Sequence, residues 1–371
     1  MDRRVRRIAA LGVTLVLATV MAKSSTVAAA PREADPLERS ALLSPRAERA
    51  VLLGLARAGK RLVAVGERGV ILYSDDNGAN WGQAAVPVSV TLTAVLFIDP
   101  KRGWAAGHDG VLLSSEDGGA TWKRQFDHRD VLGLYRQAAD RLAKELGDAD
   151  PRSRTARRLA DELAADRRDR PWLDLAVDDR GRLWLAGAYG QLLRSDDGLR
   201  WEAWSSHLGT LDRHLYAVRT RGPEIVIVGE QGLVLRSGDG GDSFATLDLP
   251  YEGSLFTAQL GAAGITVAGL RGNVFHSADG GRSFDPLPLP APVSVVASLP
   301  LLDGAILLAD QAGGLYRLQG RDLEKSGVSA VGSPAAMVLA DDGALVLGGS
   351  QGAVRLPGPL MASPSIESKR P

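Results

Sequence analysis

A short phrase, Ser-x-Asp-x-Gly-x-x-(Trp/Phe), occurs five times in this chain, and each copy closes a hydrophobic hairpin. Four copies span residues 74–81, 115–122, 237–244 and 277–284, and a fifth at 195–201 is one residue shorter. Their starts lie 40 to 42 residues apart, except for one double step of 80 residues between 115 and 195. A repeat of this length made of short strands is typical of propeller blades. The period therefore predicts an all-β fold before any other feature is considered.

Each repeat follows one template: an apolar strand, a Gly-x-x-Gly hairpin, a second apolar strand and an Asp-containing turn. Clear copies begin at residues 62, 104, 184, 226 and 266, and degenerate copies without the Asp turn begin at 306 and 345. Near-continuous apolar strands suit sheets that are buried on both faces. We therefore predict a seven-bladed β-propeller of four-stranded antiparallel blades over residues 37–356. The last blade is short, so residues 37–44 are predicted to supply its missing strand.

The repeated phrase has a mechanical explanation. Its Asp accepts backbone N–H groups in a tight turn, its Gly provides positive φ, and its aromatic ring fills the gap between blades. In the shorter copy, Arg194 and Asp196 offer an alternative to Ser195 and Asp197. We interpret these acids and rings as structural: Asp76, Trp81, Asp117, Trp122, Asp197, Trp201, Asp239, Phe244, Asp279 and Phe284.

The double step contains 43 extra residues, 128–170, whose apolar period changes from 2 to 3.6. This predicts a helical hairpin inserted between blades 2 and 3, with Asp150 as an N-cap and Pro151 at the first helical position. Two interpretations stay open. The hairpin is either a solvated pair packed on the rim or a docking element that presents Arg154, Arg157 and Arg158 to a partner.

Connectivity places a candidate surface. In four-stranded blades the loop between the second and third strands lies on the same ring face as the links between blades. The Gly-x-x-Gly tips should therefore circle the channel mouth, overhung by the helical insertion, with the Asp turns on the opposite face. The alternative is that they are ordinary polar tips. The candidate binding residues at the tips are Glu67, Arg68, His108, Asp109, Tyr189, Glu230, Gln231 and Arg271.

The N-terminus is typical of an exported protein. Basic residues precede an apolar run over residues 8–22 that is short for a membrane span, and small residues follow. We expect a signal peptide over 1–28, cleaved near Ala28, and a periplasmic protein; an uncleaved anchor is the alternative. The Pro- and Ser-rich tail, 357–371, is expected to be disordered. Lys plus Arg equal Asp plus Glu, at 44 each, and the predicted signal peptide carries a net +4, so the mature chain is near −4, which argues against nucleic acid as a partner.

Four short runs carry a resemblance to a known family. Residues 62–69 and 103–110, joined by 171–175 and 187–190, resemble the photosystem II stability/assembly factor-like family, in its exported proteobacterial type. Its repeat is the Asp-box, or bacterial neuraminidase repeat. The resemblance implies a non-enzymatic seven-bladed propeller. Photosynthetic members help to assemble a membrane protein complex, with arginine-rich patches implicated, and bacterial members tend to accompany envelope transporters.

The sequence shows few of the residue patterns that metal binding or catalysis requires. There is no Cys, and the five His residues lack ligand spacing, so we expect no metal, no cofactor and no catalytic residue. A sialidase would need an arginine trio with a Tyr–Glu pair and an acidic Asp, and no matching pattern occurs. The sequence therefore favours a monomeric scaffold or assembly factor for an envelope or membrane protein complex. The alternatives are an Asp-box glycoside hydrolase or glycan-binding propeller and, more remotely, a small-ligand sensor.

Overall fold

A computed structural model describes residues 35–166 and 168–357. The predicted signal peptide, its cleavage site and the tail beyond residue 357 lie outside the described residues. Across the described ranges the chain forms seven antiparallel sheets, each with its strands in sequence order. Six sheets have four strands and the last has three, which confirms the seven-bladed propeller.

The strand bounds repeat from blade to blade. Blade 1 contains β1 (Leu52–Ala58), β2 (Arg61–Gly66), β3 (Ile71–Ser74) and β4 (Gly82–Gln83). Blade 2 contains β5 (Leu92–Phe97), β6 (Gly103–Gly107), β7 (Leu112–Ser115) and β8 (Lys123–Phe126). Blade 3 contains β9 (Trp172–Val177), β10 (Leu183–Gly187), β11 (Leu192–Ser195) and β12 (Glu202–Ala203). Blade 4 contains β13 (Leu215–Arg221), β14 (Glu224–Gly229), β15 (Val234–Ser237) and β16 (Ala245–Thr246).

Blade 5 repeats this pattern, whereas blades 6 and 7 depart from it. Blade 5 contains β17 (Leu255–Gly261), β18 (Gly264–Gly269), β19 (Val274–Ser277) and β20 (Asp285–Pro286). Blade 6 contains β21 (Val295–Pro300), β22 (Ile306–Asp310), β23 (Gly314–Gln319) and β24 (Asp322–Ser329). Blade 7 contains β25 (Pro334–Leu339), β26 (Leu345–Gly349) and β27 (Gly352–Leu356).

The ring closes by packing between the first and last blades. Each innermost strand contacts the innermost strand of the next blade, and β25 contacts β1. Leu62 of blade 1 and Val346 of blade 7 are both fully buried in the apolar cluster between these two blades. Apolar contact between sheet faces therefore holds the closure, as it does between the other blades.

The prediction that residues 37–44 supply the missing strand of the last blade is wrong. Residues 37–44 do not extend the last sheet, which keeps three strands among the described residues. Leu37 and Ala41 are instead buried in the cluster between blades 1 and 2, and the Ala41 amide donates to Val86 O at 3.0 Å. The apolar pattern of this segment marks burial, and the link between blades 1 and 2 provides the apolar surface that covers it.

The five Asp turns share one hydrogen-bond pattern. The Ser Oγ accepts the backbone N–H of the turn's Gly at 2.7–2.9 Å. The Asp Oδ1 accepts the Ser hydroxyl and one or two backbone N–H groups near the end of the turn, as Asp76 does from Ser74 and Asn80. In the shorter copy, Ser195 and Asp197 make these bonds, so the alternative assignment to Arg194 and Asp196 is wrong.

The aromatic residue of each turn packs between its own blade and the preceding one. Trp122 of blade 2 shares a cluster with Val63 of blade 1, and Trp201 of blade 3 shares one with Trp104 of blade 2. Phe244 meets Trp184 of blade 3 edge-to-face at 6.5 Å. These rings therefore connect consecutive blades rather than closing their own sheet.

The turn acids make stability depend on pH. Hydrogen bonds from the Asn80 side chain, the Asn80 amide and the Ser74 hydroxyl lower the pKa of Asp76 to about 2, from an ordinary 3.8. Because the folded pKa lies below the unfolded one, this stabilisation is complete above pH 4 and is lost as the pH falls to 2. We expect the urea midpoint to fall across this window, and to fall less in Asp76→Asn than in the wild type. Equal slopes for both proteins would contradict the assignment.

The insertion forms the predicted helical hairpin. Helix α1 (His128–Leu146) begins with a capping box between Asp127 and Asp130, and α2 (Pro151–Ala165) begins with Asp150 as N-cap and Pro151 in its first turn. Residues 147–150 separate the two helices. In the described parts of the chain, no helix is long and apolar enough to cross a membrane.

The expected overhang above the channel is wrong. Helix α1 starts beside the blade 2 tip at Gly110 and runs toward the Asp turns, where Arg141 pairs with Glu202 of β12 at 2.6 Å. Helix α2 returns along the turn that follows β12. The hairpin thus lies on the outer wall of blade 3, because its apolar face covers Trp201 and Ala203 there.

Candidate functional site

The Gly-x-x-Gly tips lie beside the channel mouth. In five blades the first residue after the tip's leading Gly donates its amide to the residue that precedes the innermost strand, at 2.9–3.2 Å. Glu67 bonds Val51 O in this way, and His108 bonds Thr91 O. The Asp turns follow the next strand and lie on the opposite side of the ring. We call the surface formed by Glu67, Arg68, His108, Asp109, Tyr189, Glu230, Gln231 and Arg271 the tip face.

The second tip residue adopts left-handed backbone geometry in all five regular blades. Its φ lies between 53° and 57° at Arg68, Asp109, Tyr189, Gln231 and Arg271. Residues with a side chain enter this region at a cost of about 1–2 kcal/mol. The sequence template predicted positive φ for glycine, but it did not predict the left-handed conformation of the residue before the second tip glycine. Arg, Asp, Tyr and Gln share no side-chain property that would mark this position. Three of these five side chains, those of Arg68, Gln231 and Arg271, are exposed, whereas Asp109 and Tyr189 are half-buried.

The blade 2 tip binds the end of the insertion. His108 Nδ1 lies 2.5 Å from Asp169 Oδ2, and the Asp109 amide donates to Asp169 Oδ1 at 2.8 Å. The hydrogen bond with Asp169 raises the pKa of His108, against burial, which lowers it. Burial raises the pKa of Asp109. These two predicted residues therefore fasten the insertion to the propeller.

Blades 3 to 5 carry a row of aromatic and cationic side chains from the insertion to the channel. The Arg168 and Arg170 guanidinium groups lie 4.6 and 5.0 Å from the centre of the Tyr189 ring. His214 contacts Tyr189 edge-to-face at 4.5 Å, and Tyr216 contacts Phe256 at 5.3 Å. Burial raises the pKa of Tyr216 to about 12, so its hydroxyl stays protonated at neutral pH. We call this set the aromatic row.

Glu230 stabilises the aromatic row from the blade 4 tip. Its carboxylate accepts the His214 amide at 2.9 Å and lies 3.4 Å from the Tyr216 hydroxyl. Glu67 plays a similar part in blade 1, where it accepts the Val51 amide at 3.0 Å. Arg68, Gln231 and Arg271 remain exposed. The tip face thus combines residues that hold its own structure with three that point to solvent.

The three insertion arginines that were predicted to bind a partner lie apart from the tip face. Arg157 pairs with Asp148 at 2.6 Å, Arg158 pairs with Glu162 at 2.6 Å, and Arg154 is exposed on the same helix. All three are on α2, which packs on the outer wall of blade 3. The structure therefore divides the predicted binding residues into two surfaces. The residues missed from sequence, Asp169, His214 and Tyr216, lie in links between blades or on an innermost strand, where no repeat signal marks them.

A narrow channel runs along the ring axis. Its cavity of about 260 Å³ is lined by the innermost strands of all seven blades. Arg219, which pairs with Asp174, is the single arginine among its described lining residues. Within residues 35–166 and 168–357, no group of three or more His, Asp or Glu side chains has the geometry to hold a metal ion.

Together these features define an Asp-box β-propeller with a helical insertion on its wall. The family model described as "Photosynthesis system II assembly factor YCF48" matches residues 73–139 and 162–287, just over half of the chain. The chain belongs to this family. The unmatched stretch between the two matches falls in the helical insertion. Among curated proteins, none matches the sequence.

Solved structures agree on the fold. The structure titled "YCF48 bound to D1 peptide" has a TM-score of 0.60 and 16% identity, covering 86% of this chain and 96% of that chain. YCF48 from Cyanidioschyzon merolae has a TM-score of 0.56 and 15% identity, covering 86% and 98%. A streptogramin B lyase has a TM-score of 0.60 and 9% identity, covering 85% and 95%. At these identities the likeness concerns the fold alone.

Proposed function

We propose that this chain is a non-enzymatic propeller that acts as a scaffold or assembly factor for an envelope or membrane protein complex. The observation that carries the proposal is the tip face, where exposed Arg68, Gln231 and Arg271 surround a channel mouth bordered by the aromatic row. Aromatic and arginine side chains are enriched where proteins bind one another. Membership of the YCF48 family supports the same class of function.

The ligand class follows from charge and shape. Formal charges balance over the whole chain, and the tip face mixes acidic, basic and aromatic groups, so a polyanion such as nucleic acid is disfavoured. The structure titled "YCF48 bound to D1 peptide" is of a family relative that binds a peptide. By analogy, we propose that the tip face binds an exposed segment of a membrane protein, with a transporter as one candidate.

The proposed location is the periplasm. The basic N-terminal residues followed by an apolar run support export, with cleavage near Ala28. A protein in that compartment reaches the outer surface of inner-membrane complexes, which suits a monomeric assembly factor.

Over residues 35–166 and 168–357, no geometry favours the glycoside hydrolase alternative. The five turn acids are engaged by hydrogen bonds within their own turns, as Asp239 is by Ser237 and Ser243. The channel wall offers Arg219 where a sialidase-like site needs three arginines. A panel of chromogenic glycosides tests this alternative directly, and turnover of any of them would reopen it.

Site-specific photo-crosslinking tests the proposed function. A benzophenone amino acid at Gln231 or Arg271 is expected to give cross-links to an integral membrane protein in intact cells. Arg282 is the matched control, because it is exposed in the same blade as Arg271 but belongs to the opposite face. Cross-links from Arg282 and none from the tips would contradict the proposal. The same label at Arg154 decides whether the outer surface of the insertion also meets the partner.

A further inference from the structure

A cavity of about 350 Å³ lies between the helical insertion and the tips of blades 2 and 3. Its size is at the lower end of the range for small-ligand pockets, about 300–1,000 Å³. The insertion contributes aliphatic side chains from Val131, Leu132 and Leu163. The propeller contributes Gly110 and Gln191. The cavity thus has an apolar wall from the two helices and a polar wall formed by Gln191 of blade 3 together with the ends of the insertion, which contribute His128, Arg129, Asp166, Arg168 and Arg170.

The polar wall contains groups without partners. Gln191 is 3% exposed, and its side-chain Oε1 has no hydrogen-bond partner among residues 35–166 and 168–357. Arg170 also lines the cavity, and its buried Nε has no hydrogen-bond partner in the same ranges. A buried polar atom left unpaired costs about 1–3 kcal/mol. One orphan accepts a hydrogen bond and the other donates one, so a ligand that satisfies both must carry a donor and an acceptor.

The charges at the cavity are already paired. Arg129 contacts Asp127 at 2.6 Å and Glu38 at 2.8 Å. Asp166 lies between Arg168 and Arg170, with the Arg170 contact at 3.0 Å. Each arginine that lines the cavity therefore has a carboxylate partner, and an added anion would compete with those carboxylates. This balance favours a neutral ligand over a charged one.

We propose that this cavity binds a branched aliphatic group attached to a neutral amide. The aliphatic part would contact Leu132 and Leu163, while the amide N–H donates to Gln191 Oε1 and the amide C=O accepts from Arg170 Nε. An amide fits because it carries one donor and one acceptor without charge. The same chemistry occurs in a free small molecule and in a leucine or valine unit of a peptide.

Titration of the full chain with N-acetyl-leucinamide, followed by NMR, tests the pocket. The probe is expected to shift the Gln191 side-chain amide resonances and to bind more tightly than N-acetyl-alaninamide or isovalerate. Gln191→Leu should weaken binding by about tenfold, in line with the loss of one buried hydrogen bond, without loss of stability. Leu163→Trp should abolish binding by filling the cavity, whereas Leu146→Trp, on the same hairpin outside the cavity, should not.

Two further arms complete the experiment. A capped Gly-Gly-Leu-Gly-Gly peptide that binds more tightly than N-acetyl-leucinamide identifies a peptide as the source of the ligand, and weaker binding identifies a free small molecule. Any of three results would overturn the proposal. Isovalerate could bind as tightly as the amide, Leu163→Trp could bind the probe as tightly as the wild type, or the Gln191 side-chain amide could be held by ordered water alone. These results do not depend on the tip-face partner, so the proposed function can fail while this pocket stands.

Discussion

Replacement of Trp122 by alanine is expected to lower the free energy of unfolding by about 3–5 kcal/mol, the usual cost of truncating a buried aromatic residue. The ring is 5% exposed and packs edge-to-face on Phe97 with a centroid distance of 5.9 Å. Its Nε1–H donates to Gly119 O at 3.0 Å, within the Asp turn itself. The ring also lies in the cluster that contains Val63 of blade 1. The substitution therefore removes packing within blade 2, packing against blade 1 and one hydrogen bond of the turn. Urea denaturation of wild type and variant measures the difference.

Trp81→Ala provides the matched comparison, because Trp81 occupies the same position in blade 1 but is only half-buried against blade 7. Trp81→Ala should lower the free energy of unfolding by less than Trp122→Ala does, since less apolar area leaves water when the Trp81 ring packs. Trp122→Phe should retain most of the stability, because it keeps the ring contact and loses the Nε1–H bond. A Trp122→Ala midpoint equal to that of the wild type would refute the inter-blade role of these rings.

The repeat made most of the fold predictable. The same hairpin pattern recurs from blade to blade. The sequence alone therefore predicted the positions of the tips and of the Asp turns, and the number of blades. Short-range signals were equally reliable: Asp150 and Pro151 correctly predicted the start of α2. The Arg158–Glu162 pair, four residues apart on α2, is of the same kind.

Long-range placement could not be predicted in the same way. An amphipathic face shows that a segment is buried, but it does not show which surface covers it. The wrong placements of residues 37–44 and of the helical insertion both have this origin. Leu37 and Ala41 are buried beside blade 1 and not on blade 7. The insertion covers the outer wall of blade 3 and not the channel mouth. The His108–Asp169 contact joins residues 61 positions apart, outside any repeat, so the sequence carries no signal for it.

The position of the insertion leads to the other large expected effect. Tyr135→Ala should destabilise the propeller by about 3–5 kcal/mol, as for other buried aromatic residues. Tyr135 is 2% exposed, in the same cluster as Trp172 and Trp201 of blade 3. Its hydroxyl lies 2.7 Å from Ser205 Oγ, which also accepts the Leu192 amide at 2.8 Å. Urea unfolding followed by tryptophan fluorescence and far-ultraviolet circular dichroism measures the loss in blade and helix together.

Two variants on the same helix separate the causes. Tyr135→Phe keeps the ring and should cost about 1 kcal/mol for the lost hydrogen bond. Leu146→Ala changes an exposed residue at the end of α1 and should stay within about 0.5 kcal/mol of the wild type. If Tyr135→Ala melts the helical signal at low urea while the tryptophan transition is unmoved, the insertion is a separable attachment. Coincident transitions would instead make the insertion part of the propeller core, because the indoles of blade 3 would then lose their cover only when the whole ring unfolds.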